Sequence, residues 1–163
     1  MKNVTKWLLT GLALAPLTMR MASAAMPDLA LQTADGHAFN LRAERGHWVI
    51  LNYWATWCGA CREEMPMLSA FAASHPSVKL IGVTYEKINA QTLRQFVARH
   101  PPGFPVAHVD ERNLPRALKP TYFGIHALPM TFVMAPDGSV AKRWVGEIDK
   151  AKLDAMFDNV GQH

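Results

Sequence analysis

The chain reads as an α/β protein, a central mixed sheet flanked by helices with a small β-hairpin ahead of it. Three observations predict this. Residues 48–54 and 78–85 are nearly continuous apolar runs rich in β-branched and aromatic side chains, the composition of strands covered on both faces. Each run is followed by a segment whose apolar residues recur at steps of three and four, the period of a helix. The last third offers two strand-like segments about a Pro136-Asp137-Gly138 turn and a final amphipathic segment. Strand-helix-strand-helix followed by strand-strand-helix gives one sheet with parallel and antiparallel parts.

The elements follow in order. Residues 29–33 and 38–41 read as a hairpin around Asp35-Gly36. Over residues 60–74, Cys61, Met65, Leu68 and Ala72 mark the inner face of a helix, and Pro66 within it is expected to kink it because it lacks an N–H. Residues 90–99 form a second helix with Leu93, Phe96 and Val97 inward, and Pro101, Pro102, Gly103 and Pro105 then break the chain. A short strand over 106–109 follows, and residues 111–119 suit one or two helical turns. Residues 130–134 and 139–145 are the strands on either side of the Asp137-Gly138 turn. Asp149 caps the last helix, which turns Leu153, Met156, Phe157 and Val160 inward.

The first 25 residues are of a different kind. Lys2 and Lys6 precede a mostly apolar stretch of about 13 residues, and Ala22-Ser23-Ala24-Ala25 supplies small residues after it. That is the order of a secretory signal peptide with cleavage near Ala24 or Ala25, and the stretch is short of the 18 or more residues that span a bilayer. A buried helix and a retained anchor are the alternatives, the second because Arg20 separates the apolar run from the small residues. The expected division is a signal peptide over 1–25 and one domain over 26–163, with export to the periplasm.

Charge then excludes one class of function. The 163 residues carry a formal +4, but Lys2, Lys6 and Arg20 lie in the signal segment, which has no acid. The remaining 14 basic and 13 acidic residues leave no electrostatic footprint for nucleic acid or an anionic membrane.

The chain has two cysteines, Cys58 and Cys61, separated by Gly59 and Ala60. The pair comes directly after a buried strand and at the start of a helix. Cys58 therefore meets the unpaired N–H groups and positive dipole end that favour a thiolate. A closed disulfide fits the turn, with Cys58 the more exposed and Cys61 the more covered sulfur. Dithiol exchange needs an accessible attacking thiolate and a second thiol to resolve the mixed disulfide. Small Gly59 and Ala60 let a substrate disulfide approach. A purely structural disulfide is the rival reading, but two intervening residues constrain the unfolded chain little. Zinc needs about four ligands, and haem attachment needs a histidine where Arg62 stands.

Residues 49–66, with Trp57-Cys58-Gly59-Ala60-Cys61 at their centre, resemble the active-site stretch of thioredoxin-fold proteins. More narrowly, they are similar to the exported TlpA/ResA-like thiol–disulfide oxidoreductases, including those of cytochrome c maturation. The likeness extends over about 26–160 and takes in the N-terminal hairpin, the segment Gly124 to Phe132 with Leu128-Pro129, and Asp137-Gly138 before a strand ending in Gly146. The resemblance implies a thioredoxin-like fold with a central insertion, which residues 103–119 would supply. It implies a cis bond before Pro129, facing the cysteines, with the Leu128 backbone ready to pair with an extended substrate. It implies a reductase with no dissociable cofactor beyond the redox-active Cys58–Cys61 disulfide, acting on a disulfide-containing exported protein and recharged by a membrane thiol–disulfide electron donor. A monomer is expected. The same chemistry reversed makes a disulfide-inserting oxidant.

Other residues carry further expectations. Trp57 is expected to be a contact surface over the cysteines and Trp54 a core residue. Glu86 follows the second strand at the active-site end of the sheet, where a buried carboxylate would accept the Cys61 proton; relatives place a glutamate about one residue away, and a solvated loop acid is the alternative. Glu63 and Glu64 are assigned to the first helical turn, tuning the site with Arg62. His126 lies three residues before Pro129. With the two thiolates it defines a rival function from another class, a copper-binding metallochaperone.

Overall fold

The computed structural model of the chain describes residues 25–122 and 125–157. Residues 1–24 of the expected signal peptide, Gly124, the His126 side chain and Val160 lie outside the described residues. Two short strands, β1 (Ala30–Gln32) and β2 (Ala38–Asn40), pair antiparallel as the expected hairpin. The central elements are β3 (Trp48–Tyr53), α1 (Gly59–Ser74), β4 (Val78–Thr84), α2 (Ala90–Arg99) and β5 (Val106–His108). A two-stranded ribbon, β6 (Thr121–Tyr122) and β7 (Ile125–His126), leads to β8 (Met130–Met134), β9 (Val140–Val145) and α3 (Lys150–Phe157).

The five-stranded sheet has the order β5-β4-β3-β8-β9. β3, β4 and β5 run parallel, and β8 and β9 are antiparallel to their neighbours. Because successive side chains of a strand point to opposite faces, β3 feeds two cores. Ile50 joins Met65, Leu68, Phe71, Leu93, Leu153 and Phe157 under the three helices. Val49, Leu51 and Tyr53 join Leu29, Leu31, Leu41 and Leu118 on the other side. Continuous apolarity in β3 is thus the mark of a strand with both faces covered, each fully buried Leu or Ile contributing about 1.5–3 kcal/mol. The right-handed crossovers β3-α1-β4 and β4-α2-β5 set α1 and α2 on the same face.

Several details refine the sequence reading. α1 runs through Pro66 without ending there. Residues 111–119 form two 3-10 turns rather than a regular helix, so the central insertion consists of β5 and these turns. The hairpin is stitched to the sheet edge by the Ala34 N–H donating to the Val106 carbonyl at 2.7 Å and by a Thr33–Ala107 bridge. The opposite edge, β9, is exposed and carries Lys142 and Arg143, charges that discourage edge-to-edge pairing. Among the described residues no helix is long and apolar enough to cross a membrane.

Candidate functional site

Three strand ends meet at one edge of the sheet. Tyr53 of β3 pairs with Val83 of β4 on one side and with Met130 of β8 on the other. The segment after β3, the loop after β4 and the approach to β8 therefore emerge together. The segment after β3 carries the cysteines, the loop after β4 carries Glu86, and the approach to β8 carries Leu128 and Pro129.

The chain leaves β3 through Trp54, whose N–H donates to the Val83 carbonyl at 3.1 Å and whose ring is buried in the helix-side core. It then folds into a tight turn closed by the Cys58 N–H donating to the Ala55 carbonyl at 3.1 Å. Cys58 is the N-cap of α1, in extended geometry, and its Sγ accepts from the Cys61 N–H at 3.2 Å. The two sulfurs form a disulfide of 2.05 Å with 5.3 Å between the Cα atoms. Cys61 is completely buried and Cys58 retains 7% exposure, the asymmetry that attack and resolution require. Trp57 stands beside them 71% exposed, Gly59 is exposed and Ala60 half-buried. The N–H groups of the first turn and the positive end of the α1 dipole point at Cys58, which favours its thiolate when the disulfide opens.

The Leu128–Pro129 bond is cis. The Pro129 carbonyl accepts from the Gly146 N–H at 2.9 Å, which fixes the end of β9 against this loop. Leu128 is half-buried and packs against both cores, one of which contains Cys58 and Cys61.

Glu86 lies at this edge, and its carboxylate is taken up by Thr56. It accepts from the Thr56 N–H at 2.8 Å and the Thr56 hydroxyl at 3.0 Å, and from the Thr84 hydroxyl at 3.3 Å. These bonds make it a clamp on the turn ahead of Cys58.

The buried acid of the site is Glu64, 5% exposed. The assignment of Glu63 and Glu64 to the first helical turn is corrected: α1 begins at Gly59, so both lie in the second turn. Glu63 is exposed, whereas Glu64 points inward, three residues after Cys61 on the same helix face. Its carboxylate accepts from Asn52 Nδ2 at 2.7 Å and from the Ile148 N–H at 2.9 Å. Asn52 Nδ2 also donates to Thr131 Oγ1 at 3.1 Å. Burial raises the Glu64 pKa above the ordinary carboxylate value, and the two hydrogen bonds oppose that rise. The signal for Glu64 was its spacing between Cys61 and Leu68, both inward; its partners come from β3 and the approach to α3, which local periodicity does not connect.

Comparison with known proteins agrees with this geometry. Residues 22–143 match the AhpC/TSA family. The thiol:disulfide interchange protein DsbE of Pseudomonas fluorescens biotype C is 32% identical over 166 residues, covering 95% of this chain and 89% of that protein. The thiol-disulfide oxidoreductase ResA of Bacillus thuringiensis (strain Al Hakam) is 29% identical over 138 residues, covering 82% of this chain and 75% of its own length. The crystal structure of a thiol:disulfide interchange protein of the thioredoxin family from Chlorobium tepidum TLS superposes with a TM-score of 0.71 at 22% identity, over 83% of this chain and 94% of that one, a likeness of fold. A family match over most of the length and a relative at 32% identity decide the assignment: the chain belongs to the AhpC/TSA family and is, within the thioredoxin fold, a TlpA/ResA-like protein.

Proposed function

We propose that this protein is an extracytoplasmic thiol–disulfide oxidoreductase that reduces disulfides in exported proteins through Cys58 and Cys61. The observation that carries the reading is the Cys58–Cys61 disulfide at the N-terminus of α1, with Cys58 7% exposed and Cys61 fully buried. In the reduced protein the Cys58 thiolate attacks a substrate sulfur. A mixed disulfide forms, the substrate S–S bond breaks, and the first leaving thiolate takes up a proton. Cys61 then loses its proton and attacks Cys58 Sγ. The Cys58–Cys61 bond closes, the mixed disulfide breaks, and the second substrate thiol is released. Two electrons pass to the substrate, and a membrane dithiol donor returns two to the pair. No dissociable cofactor enters these steps.

Around this exchange, Pro129 and Leu128 offer the backbone edge on which an extended substrate pairs, and Trp57 with Gly59 and Ala60 forms the surface it meets. Glu86 holds the turn that presents Cys58. The DsbE and ResA names of the relatives support the exchange chemistry, and the signal-like sequence over residues 1–25 supports the periplasmic compartment. Apocytochrome c, with its paired cysteines, is the substrate class this reading favours.

The test is the reduction potential of the pair, equilibrated against defined thiol–disulfide buffers with metals excluded, together with Cys61→Ser. A potential near or below about −230 mV and a mixed disulfide trapped through Cys58 are expected. A value near about −120 mV makes the protein a disulfide-inserting oxidant instead. A pair that does not cycle overturns exchange altogether and leaves copper binding by Cys58, Cys61 and His126 as the function to test.

A further inference from the structure

A groove of about 730 Å³ opens beside the cysteine pair, running from Gly59 between α1 and the C-terminal end of α2. Its size is that of a site that encloses a few side chains. Met65 and Pro66 of α1 face Phe96 of α2 and Pro101 across an apolar floor. Phe96 is held in place by the Trp54 ring at 5.7 Å, so the floor is continuous with the core under the active site.

The rim is charged. Arg62 projects from α1 and Arg99 from α2, both exposed. Among the described residues neither guanidinium has a carboxylate partner. Arg99 donates only its Nε, to the Gln95 carbonyl at 3.1 Å, which leaves its terminal nitrogens outward. Glu63 is the only acid among the lining residues. Arginine is the side chain best suited to forked recognition of carboxylates, and an apolar floor with an arginine rim is the composition of an interface hot spot.

We propose that this groove binds the substrate polypeptide that flanks the attacked disulfide, a stretch combining an aromatic or large apolar side chain with acidic residues. The proposal rests on the dithiol-exchange reading and names the substrate feature it selects. A disulfide held over Cys58 leaves its flanking chain beside Gly59, at the mouth of the groove. The apolar side chain enters between Met65 and Phe96, and the acidic groups meet Arg62 and Arg99. Specificity then arises on the helix side of the cysteines, away from the Leu128–Pro129 loop.

The test uses the reduced protein and two synthetic peptides that share one internal disulfide and an adjacent phenylalanine. Glutamates flank the phenylalanine in one peptide and lysines in the other. Hydroxyethyl disulfide is the small neutral reference, and each peptide rate is divided by that peptide's rate with dithiothreitol to remove intrinsic reactivity. The acidic peptide is expected to oxidise the protein about tenfold faster at low salt. The gap closes at about 1 M salt, where screening acts within about 3 Å. Arg99→Glu is expected to cut the acidic-to-basic ratio about fivefold or more, and Arg62→Glu repeats the measurement from the other wall should Arg99→Glu not fold. Equal rates for the two peptides, or a ratio that neither substitution moves, overturn the groove while hydroxyethyl disulfide still oxidises the pair. If neither peptide nor hydroxyethyl disulfide oxidises the pair, the dithiol reading falls and the groove proposal with it.

Discussion

The Glu86 carboxylate accepts both donors of Thr56, the backbone N–H at 2.8 Å and the hydroxyl at 3.0 Å. It thereby ties the loop after β4 to the turn that carries Cys58. Removing it in Glu86→Ala leaves the Thr56 N–H without its acceptor and is expected to cost about 1 kcal/mol of stability and to slow exchange at Cys58. Glu86→Gln keeps an amide oxygen for the Thr56 N–H and an amide N–H for the hydroxyl, so it should restore most of both. Urea unfolding and amide hydrogen exchange at Thr56 check this; equal effects of Ala and Gln would remove the clamp.

Glu64 should leave its mark on the pH dependence of stability. Its folded pKa is raised above the unfolded value near 4.5, so in that window the folded state holds more protons than the unfolded state. Stability from this group is therefore fully present below the unfolded value and is lost as pH rises through the folded one. The depressed carboxylates of Asp35, Asp137 and Asp149 act oppositely and below their unfolded value of 3.8, so the windows do not overlap. Urea unfolding from pH 4.5 upward should show a decline in the wild type that Glu64→Gln flattens. An unchanged slope would mean that another group titrates.

Trp57 separates contact from stability. It is 71% exposed, so Trp57→Ala is expected to change the unfolding free energy by less than about 0.5 kcal/mol. Exchange with a folded protein disulfide should slow about fivefold, the effect of a modest contact of about 1 kcal/mol, and exchange with a small disulfide should slow less. Parallel unfolding and stopped-flow measurements decide it.

Gly103 and Gly59 make a contrasting pair. Gly103 has a φ of +79°, and a Cβ there would lie 2.0 Å from Ser69 Oγ and 2.8 Å from Ser69 Cβ. Gly103→Ala should cost about 2–3 kcal/mol from the left-handed backbone and the clash with α1. Gly59 has ordinary φ and no atom within 4 Å of the same position, so Gly59→Ala should be near neutral. Thermal unfolding of the two variants tests the difference.

What the sequence disclosed depended on whether the cause was local. The strands over 48–53 and 78–84 announced themselves because both faces are covered, and the helix over 90–99 because Leu93, Phe96 and Val97 recur at helical spacing. Cys58 and Cys61 were legible for the same reason: strand, turn and helix start lie within a dozen residues. The β6–β7 ribbon was not, since two-residue strands have no period to detect. Glu64 was misjudged because a glutamate early in a helix ordinarily faces solvent, and what turns it inward is Asn52, 12 residues upstream, and the Ile148 N–H, 84 residues on. Glu86 was marked by position, but its tie to Thr56, 30 residues away, exists only once β3 and β4 lie side by side.

The sulfur that performs the exchange also closes the end of a helix, since Cys58 Sγ accepts the Cys61 N–H at 3.2 Å. A change in that atom's charge or bonding is felt at once by one backbone amide, which belongs to the resolving cysteine. The amide proton of Cys61 is therefore a built-in gauge of the site, its resonance and its protection registering whether the neighbouring sulfur is closed, free or joined to another protein.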